Sequence, residues 1–306
     1  MSLLSKKYFH DEESAYEFVE ARIWQNGKVC PHCGGLDRIN KLEGKSTRIG
    51  VYKCYSCRKP FTVKVGTIFE DSHVKLHLWL QAIYLMCASK KGISSNQLHR
   101  TLNVTLKTAW FMAHRIREAM APHGGVPPLG GEGKTVEADE TYIGNKGKQK
   151  PGARGWSHKE KVFSLVERGG KVRSTHVDHV NAQTLRPIMQ KQINAQSRLI
   201  TDEARQYIAL GKDFAEHHSV NHSIGEYVRG DVHSNTIENY FSIFKRGMKG
   251  IYQHCSTKHL KRYLAEFDFR YNNRIGLEIN DVLRAENALL GVSGKRLTYR
   301  PSCAKI

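Results

Sequence analysis

Three acidic side chains, Asp139, Asp202 and Glu238, stand in settings that suit metal-assisted chemistry at phosphorus. Asp139 lies in the run Thr135-Val136-Glu137-Ala138-Asp139-Glu140-Thr141. As a strand, this run turns Val136 and Ala138 one way and Glu137, Asp139 and Thr141 the other. Asp202 follows the apolar pair Leu199-Ile200 and ends a short strand, and Glu238 opens a helix. Two strand positions and a helix start can converge on two Mg2+ (or Mn2+) ions ~4 Å apart, one activating an attacking oxygen and one stabilising a leaving oxygen. Carboxylates are the right donors, because hard divalent cations take oxygen ligands. Each residue also has a plainer reading. Glu137 or Glu140 can replace Asp139 as ligand, although Glu140 faces the other way. Asp202 can cap the helix after it, and Asn235 followed by Glu238 fits a capping box. The conjunction of all three favours the chemical reading.

A second constellation is Cys30-Pro31-His32-Cys33 and Cys54-Tyr55-Ser56-Cys57, two C-x2-C pairs separated by 20 residues. Each pair can bend two thiolates towards one point, and two pairs complete the tetrahedron that Zn2+ prefers. With every position filled by sulfur, this zinc is structural. Two disulfides or a dithiol redox pair are the alternatives, and a reducing compartment disfavours the first.

The elements that must position these groups can be read from periodicity. Alternation marks strands over residues 136–143, 162–166 and 172–177, with Gly169-Gly170 as a hairpin turn between the last two. Helical patterns cover residues 181–195, 234–249 and 257–273, with a short strand over 198–201. On the second of these helices Ile237, Tyr240, Phe241, Phe244 and Met248 form a buried stripe, while Glu238, Ser242, Lys245 and Lys249 share another face. Lys245 would reach along the helix to a phosphate near the metals. Upstream, residues 76–87 repeat apolar side chains at helical spacing, and two helices flank the break Asn103-Val104-Thr105. The later one buries Ala109, Met112, Ala113, Ile116 and Met120 and leaves Lys107, His114, Arg115 and Arg117 outside. Such a pair resembles a DNA-binding helix-turn-helix. The fold class is therefore α/β, preceded by a small zinc ribbon and a helical region. The expected divisions are 1–70 with the ribbon at about 28–62, helices over 71–121, a Pro/Gly-rich linker over 122–135, a sheet domain over 136–275, and a basic tail over 276–306.

Charge points to the partner. The chain holds 48 Lys+Arg against 29 Asp+Glu, a net +19, which favours a polyanion such as DNA. Lys146, Lys148, Lys150 and Arg154 crowd a Gly-rich stretch beside Trp156, suited to clamping phosphates. No apolar run is long enough to span a bilayer. Asp11, Glu12 and Glu13 occupy the place of a signal peptide's apolar core, so the expectation is a soluble cytoplasmic protein, associated with the nucleoid through DNA. His217, His218, His222 and His233 lack ligand spacing and read as edge-strand and loop residues.

At these motifs the chain resembles the zinc-ribbon DDE transposases of bacterial insertion sequences, the ISXO-like group related to Merlin elements. The resemblance rests on the paired cysteine knuckles, on Val136-Glu137-Ala138-Asp139-Glu140-Thr141-Tyr142-Ile143-Gly144, on Thr201-Asp202, and on His233-Ser234-Asn235-Thr236-Ile237-Glu238-Asn239 running on to Phe244-Lys245-Arg246. It implies an RNase-H-like catalytic domain and a two-metal site with Asp139, Asp202 and Glu238 as the acidic triad and Lys245 as the downstream basic residue. It also implies cleavage at terminal inverted repeats, strand transfer into target DNA, and a homo-oligomer that joins two ends together. A zinc-ribbon DNA-binding regulator without catalysis, a domesticated transposase, is the alternative.

Overall fold

The computed structural model describes residues 3–144 and 159–298. The chain divides into two compact units, residues 1–122 with 280–306, and residues 123–279.

In the first unit, α1 (Glu12–Ile23) starts where the Asp11 carboxylate accepts the Ser14 N–H. A small antiparallel sheet follows, in the order β1 (Ile39–Lys41), β2 (Tyr52–Cys54), β3 (Pro60–Phe61). Its core is Tyr52 and Phe61 against Trp24 and the cysteines. Helix α2 (Leu76–Ala88) is apolar on most of its surface and is correspondingly buried. Helices α3 (Ser95–Leu102) and α4 (Leu106–Met120) are capped by Ser94 and Thr105, and Asn103 makes the turn between them at φ 50°, a left-handed conformation that asparagine tolerates. One sequence expectation is corrected here: His114, Arg115 and Arg117 are buried, not outside. The Arg115 guanidinium donates from Nε to the Leu297 carbonyl and from Nη1 to the carbonyls of Ile68 and Glu70, so these buried donors find protein acceptors.

The second unit is a five-stranded sheet with helices on both faces. Its elements are β4 (Thr135–Ile143), β5 (Glu160–Glu167), β6 (Val172–Val177), α5 (Ala182–Gln192), β7 (Arg198–Asp202), α6 (Arg205–Leu210) and β8 (Glu216–Val220). The short pair β9 (Val228–Arg229) and β10 (Val232–His233) leads to α7 (Asn235–Gly247) and α8 (Thr257–Asn272). Strand order is β6-β5-β4-β7-β8. The first three strands are antiparallel neighbours, and β4, β7 and β8 run parallel. Alternation divides the core. Val162, Val166 and Val172 meet Ile237, Tyr240 and Phe244 on the α7–α8 face. Val136, Ala138, Phe163 and Leu165 meet Leu185, Met189 and Tyr207 on the α5–α6 face.

The last described residues are not a loose tail. Helix α9 (Asp281–Leu290) belongs to the first unit, where Arg284 donates to the Cys87 carbonyl at the end of α2 and Arg22 of α1 pairs with Glu286 at 2.7 Å. Buried Ala288 and Leu289 account for the attachment, an apolar pair inside a segment whose basic composition suggested exposure.

Candidate functional site

The cysteine site is built by two turns. The Cys30 N–H donates to the Gly35 carbonyl and the Gly34 N–H donates to the Cys30 carbonyl, both at 2.9 Å, folding the first pair back on itself. Gly34 sits at φ 73°, which a residue without Cβ adopts freely. The four sulfurs of Cys30, Cys33, Cys54 and Cys57 lie within 4.8 Å of one another. Cys30–Cys57 and Cys33–Cys54 are each 3.7 Å apart, too far for a disulfide. A regular tetrahedron with Zn–S bonds of ~2.3 Å has edges of about 3.8 Å, so the cluster fits structural zinc. The backbone N–H groups of Cys57 and then Ser56 pull the Cys54 thiol down, while, against the Gly35 N–H, the hydrogen-bonded thiols of Cys30 and Cys57 push its neighbour Cys33 up, as the crowding of four sulfurs would. His32 is exposed, 3.3 Å from the Pro60 carbonyl, and takes no part in the cluster.

The three acids lie in the second unit, Asp139 in the middle of β4, Asp202 at the end of β7 and Glu238 near the start of α7. Parallel pairing of β4 with β7 matches Thr135 to Arg198, Val136 to Leu199 and Glu137 to Ile200. Carried two residues on, this register sets Asp139 beside Asp202, on strands that neighbour at ~4.8 Å. Burial pushes the Asp139 carboxyl well above the ordinary range, and Glu140, Asp202 and Glu238 add to the push. Asp202 is raised chiefly by burial, against a downward pull from the Ala204 N–H. Glu238 is exposed near the start of α7.

Each of the three spends one oxygen on the protein. Asp139 Oδ1 accepts from the Glu140 N–H at 2.7 Å, Asp202 Oδ1 from the Ala204 N–H at 3.1 Å, and Glu238 Oε1 from the Ser234 hydroxyl at 2.6 Å. Among the described residues, none of their second oxygens accepts a hydrogen bond. That donor set suits a hard cation. The cysteines are the set of metal-type ligands that all lie within 4.8 Å of one another among the described residues, and the three carboxylates are not gathered that closely.

The rival ligands are otherwise engaged. Glu137 is buried and binds Arg168 and the Ile237 N–H. Glu140 faces α6 and accepts from the Tyr207 hydroxyl at 2.6 Å. The capping-box expectation is also corrected. The cap of α7 is Ser234, with no side-chain cap bond, and its hydroxyl goes to Glu238 instead. His222, set aside in the sequence as a loop residue without ligand spacing, has its Nε2 3.8 Å from Glu238 Oε1 and 3.4 Å from Ser234 Oγ. No spacing signal marked it, because a loop brings it in.

Beside the acidic site, a cleft of about 870 Å³ is lined by Tyr142, Ile143, Lys159, Lys245, Lys249 and His254, among others. Lys245, on α7, and Lys249, in the helical turn Met248–Tyr252 that follows it, thus both line the cleft. Lys146, Lys148, Lys150 and Arg154 lie outside the described residues.

The cysteine cluster and the mixed sheet with its acidic margin define a zinc-ribbon protein carrying a separate α/β unit. Residues 10–60 match the transposase zinc-ribbon domain, and residues 128–272 match the ISXO2-like transposase domain. An uncharacterized protein in transposable element ISH50 of Halobacterium salinarum is 31% identical over 283 residues, covering 86% of this chain and 92% of that protein. An uncharacterized transposase-like protein of Haemophilus influenzae is 29% identical over 103 residues, 34% of this chain and 82% of that protein. The chain belongs to the ISXO2-like transposase family. Among the described residues no helix is long and apolar enough to cross a membrane.

Proposed function

We propose that this transposase uses an RNase-H-like domain, residues 136–275, to cut phosphodiester bonds at insertion-sequence ends and to join the freed 3′-hydroxyl to target DNA. The observation that carries the reading is the parallel β4–β7 register, which pairs Glu137 with Ile200, two residues before Asp139 and Asp202, and the electrostatic push of Asp202 and Glu238 on Asp139 supports it. The sheet order β6-β5-β4-β7-β8, three antiparallel strands followed by two parallel ones, supports the RNase-H-like assignment.

Asp139, Asp202 and Glu238 are the residues that would hold Mg2+ or Mn2+. When bound, such ions supply the positive charge that an attacking and a leaving oxygen require. The Ser234 hydroxyl fixes one oxygen of Glu238 and leaves the other for coordination. Lys245 and Lys249 neutralise backbone phosphates along the cleft, and Lys146, Lys148, Lys150 and Arg154 are further phosphate contacts by their basic, Gly-rich sequence. The zinc ribbon and the helix-turn-helix-like pair α3–α4 read the terminal repeats, with Lys107 and Arg100 exposed for contact. Joining two ends in one event calls for a homo-oligomer, and DNA binding places the protein on the nucleoid in the cytoplasm.

The test is Asp139→Asn in the full chain, assayed on DNA carrying the element's ends with Mg2+ or Mn2+. Cleavage and joining should collapse while end binding persists. A variant that cleaves as well as the parent overturns the reading, and a parent that binds ends without nicking them is a regulator.

A further inference from the structure

Glu137 is a fully buried carboxylate two residues from Asp139 on the same face of β4, and neither of its oxygens is available to a metal. Oε1 accepts from the Arg168 Nε–H at 2.7 Å. Oε2 accepts the backbone N–H of Ile237 at 2.8 Å, across 100 residues of chain. Ile237 lies in the first turn of α7, where N–H groups have no partner within the helix. The Ser234 side chain, at the cap, does not fill that role. A strand carboxylate therefore replaces the ordinary cap, and negative charge at a helix start suits the dipole.

Arg168 completes the clasp. Its guanidinium donates to the Asp231 carbonyl at 2.7 Å, to the His233 carbonyl at 2.6 Å, and lies 3.1 Å from His233 Nδ1. His233 Nδ1 is also 3.7 Å from Glu137 Oε1. The segment leading into α7 and its first turn are thus bolted to the strand that carries Asp139. The next residue after the bolted Ile237 is Glu238. Helix rotation and axial position there decide where its carboxylate stands.

We infer that Glu137 and Arg168 are positioning residues that set Glu238 against Asp139. This rests on the metal-site reading above. Both Glu137 oxygens are spent on Arg168 and the Ile237 N–H, so loss of the clasp should act through the seating of α7 and the Glu238 that follows. Partners one step removed from a ligand typically change metal affinity or activity by roughly 10–100-fold when mutated.

The experiment compares the full chain with Glu137→Gln, Arg168→Lys and Asp139→Asn. Mn2+ binding is read by titration calorimetry, beside thermal unfolding, DNA-end binding and Mn2+-dependent nicking. Glu137→Gln should fold and bind DNA ends, with Mn2+ half-saturation raised roughly 10–100-fold and nicking partly restored at high Mn2+. Arg168→Lys, which keeps one charge against Glu137, should show the same direction more weakly and serves if Glu137→Gln does not fold. Folded variants with parental Mn2+ affinity overturn the inference and leave the metal site standing. A parent whose Mn2+ binding equals that of Asp139→Asn sinks the metal-site reading itself, and the inference with it.

Discussion

Asp268 on α8 offers a stability prediction whose size follows from one buried network. Its carboxylate accepts from the Ser174 N–H and the Ser174 hydroxyl, both at 2.7 Å, and from the Tyr240 hydroxyl. These contacts fasten α7 and α8 to β6, so the helix that carries Glu238 depends on them. Burial outweighs the three donors and pushes Asp268 up from 3.8 to about 6. A folded-state value above the unfolded one means that the native state binds the extra proton. The associated stability is complete below about pH 4 and is lost as pH rises through about 6. Two units correspond to about 3 kcal/mol at most, and the residue's residual solvent access trims that figure. Asp268→Asn cannot ionise. It should be less stable than the parent at pH 4, by about 1–3 kcal/mol, because its NH2 cannot accept from the donors. The gap should then shrink as pH rises to 7, while the parent loses its advantage. Urea unfolding by circular dichroism at half-unit pH steps reads the gap directly. A gap that stays constant from pH 4 to 7 refutes the reasoning.

Four cysteine ligands require that one zinc per chain be measured by atomic absorption, and that Cys54→Ser lose it. Undiminished zinc in that variant removes the ribbon assignment. Arg115→Leu strips donors from three carbonyls at roughly 1–3 kcal/mol each, so its melting temperature should fall by several degrees, whereas exposed Lys107→Ala should weaken end binding with its melting temperature unmoved. Equal melting temperatures for the two variants would contradict the burial assigned to Arg115. Lys245→Ala and Lys249→Ala should each lower the slope of log affinity against log salt by about 1. An unchanged slope removes these lysines from the phosphate path.

Local rules made much of this visible in the sequence. Period-two alternation located β4, β5 and β6, and the spacing of Ile237, Tyr240, Phe241 and Phe244 gave the buried face of α7. Cysteine spacing specified the ribbon, because chelation by paired turns is itself local. What escaped depends on contacts between distant residues. Arg115 looked like a surface charge until the Leu297 carbonyl, 182 residues away, became one of its partners. Asn235 looked like a helix cap because nothing nearby announces that Glu137 supplies the acceptor from another strand. His222 approaches Glu238 only through the loop after β8, and α9 returns to the first unit on the strength of two apolar side chains.

The most direct measurement is the Mn2+ stoichiometry and affinity of the parent chain against Asp139→Asn, Asp202→Asn and Glu238→Gln, singly and combined. Ligands that share ions predict that each single change removes most of the binding and that the triple change removes little more. Three single variants that each keep parental Mn2+ binding would contradict a shared metal site.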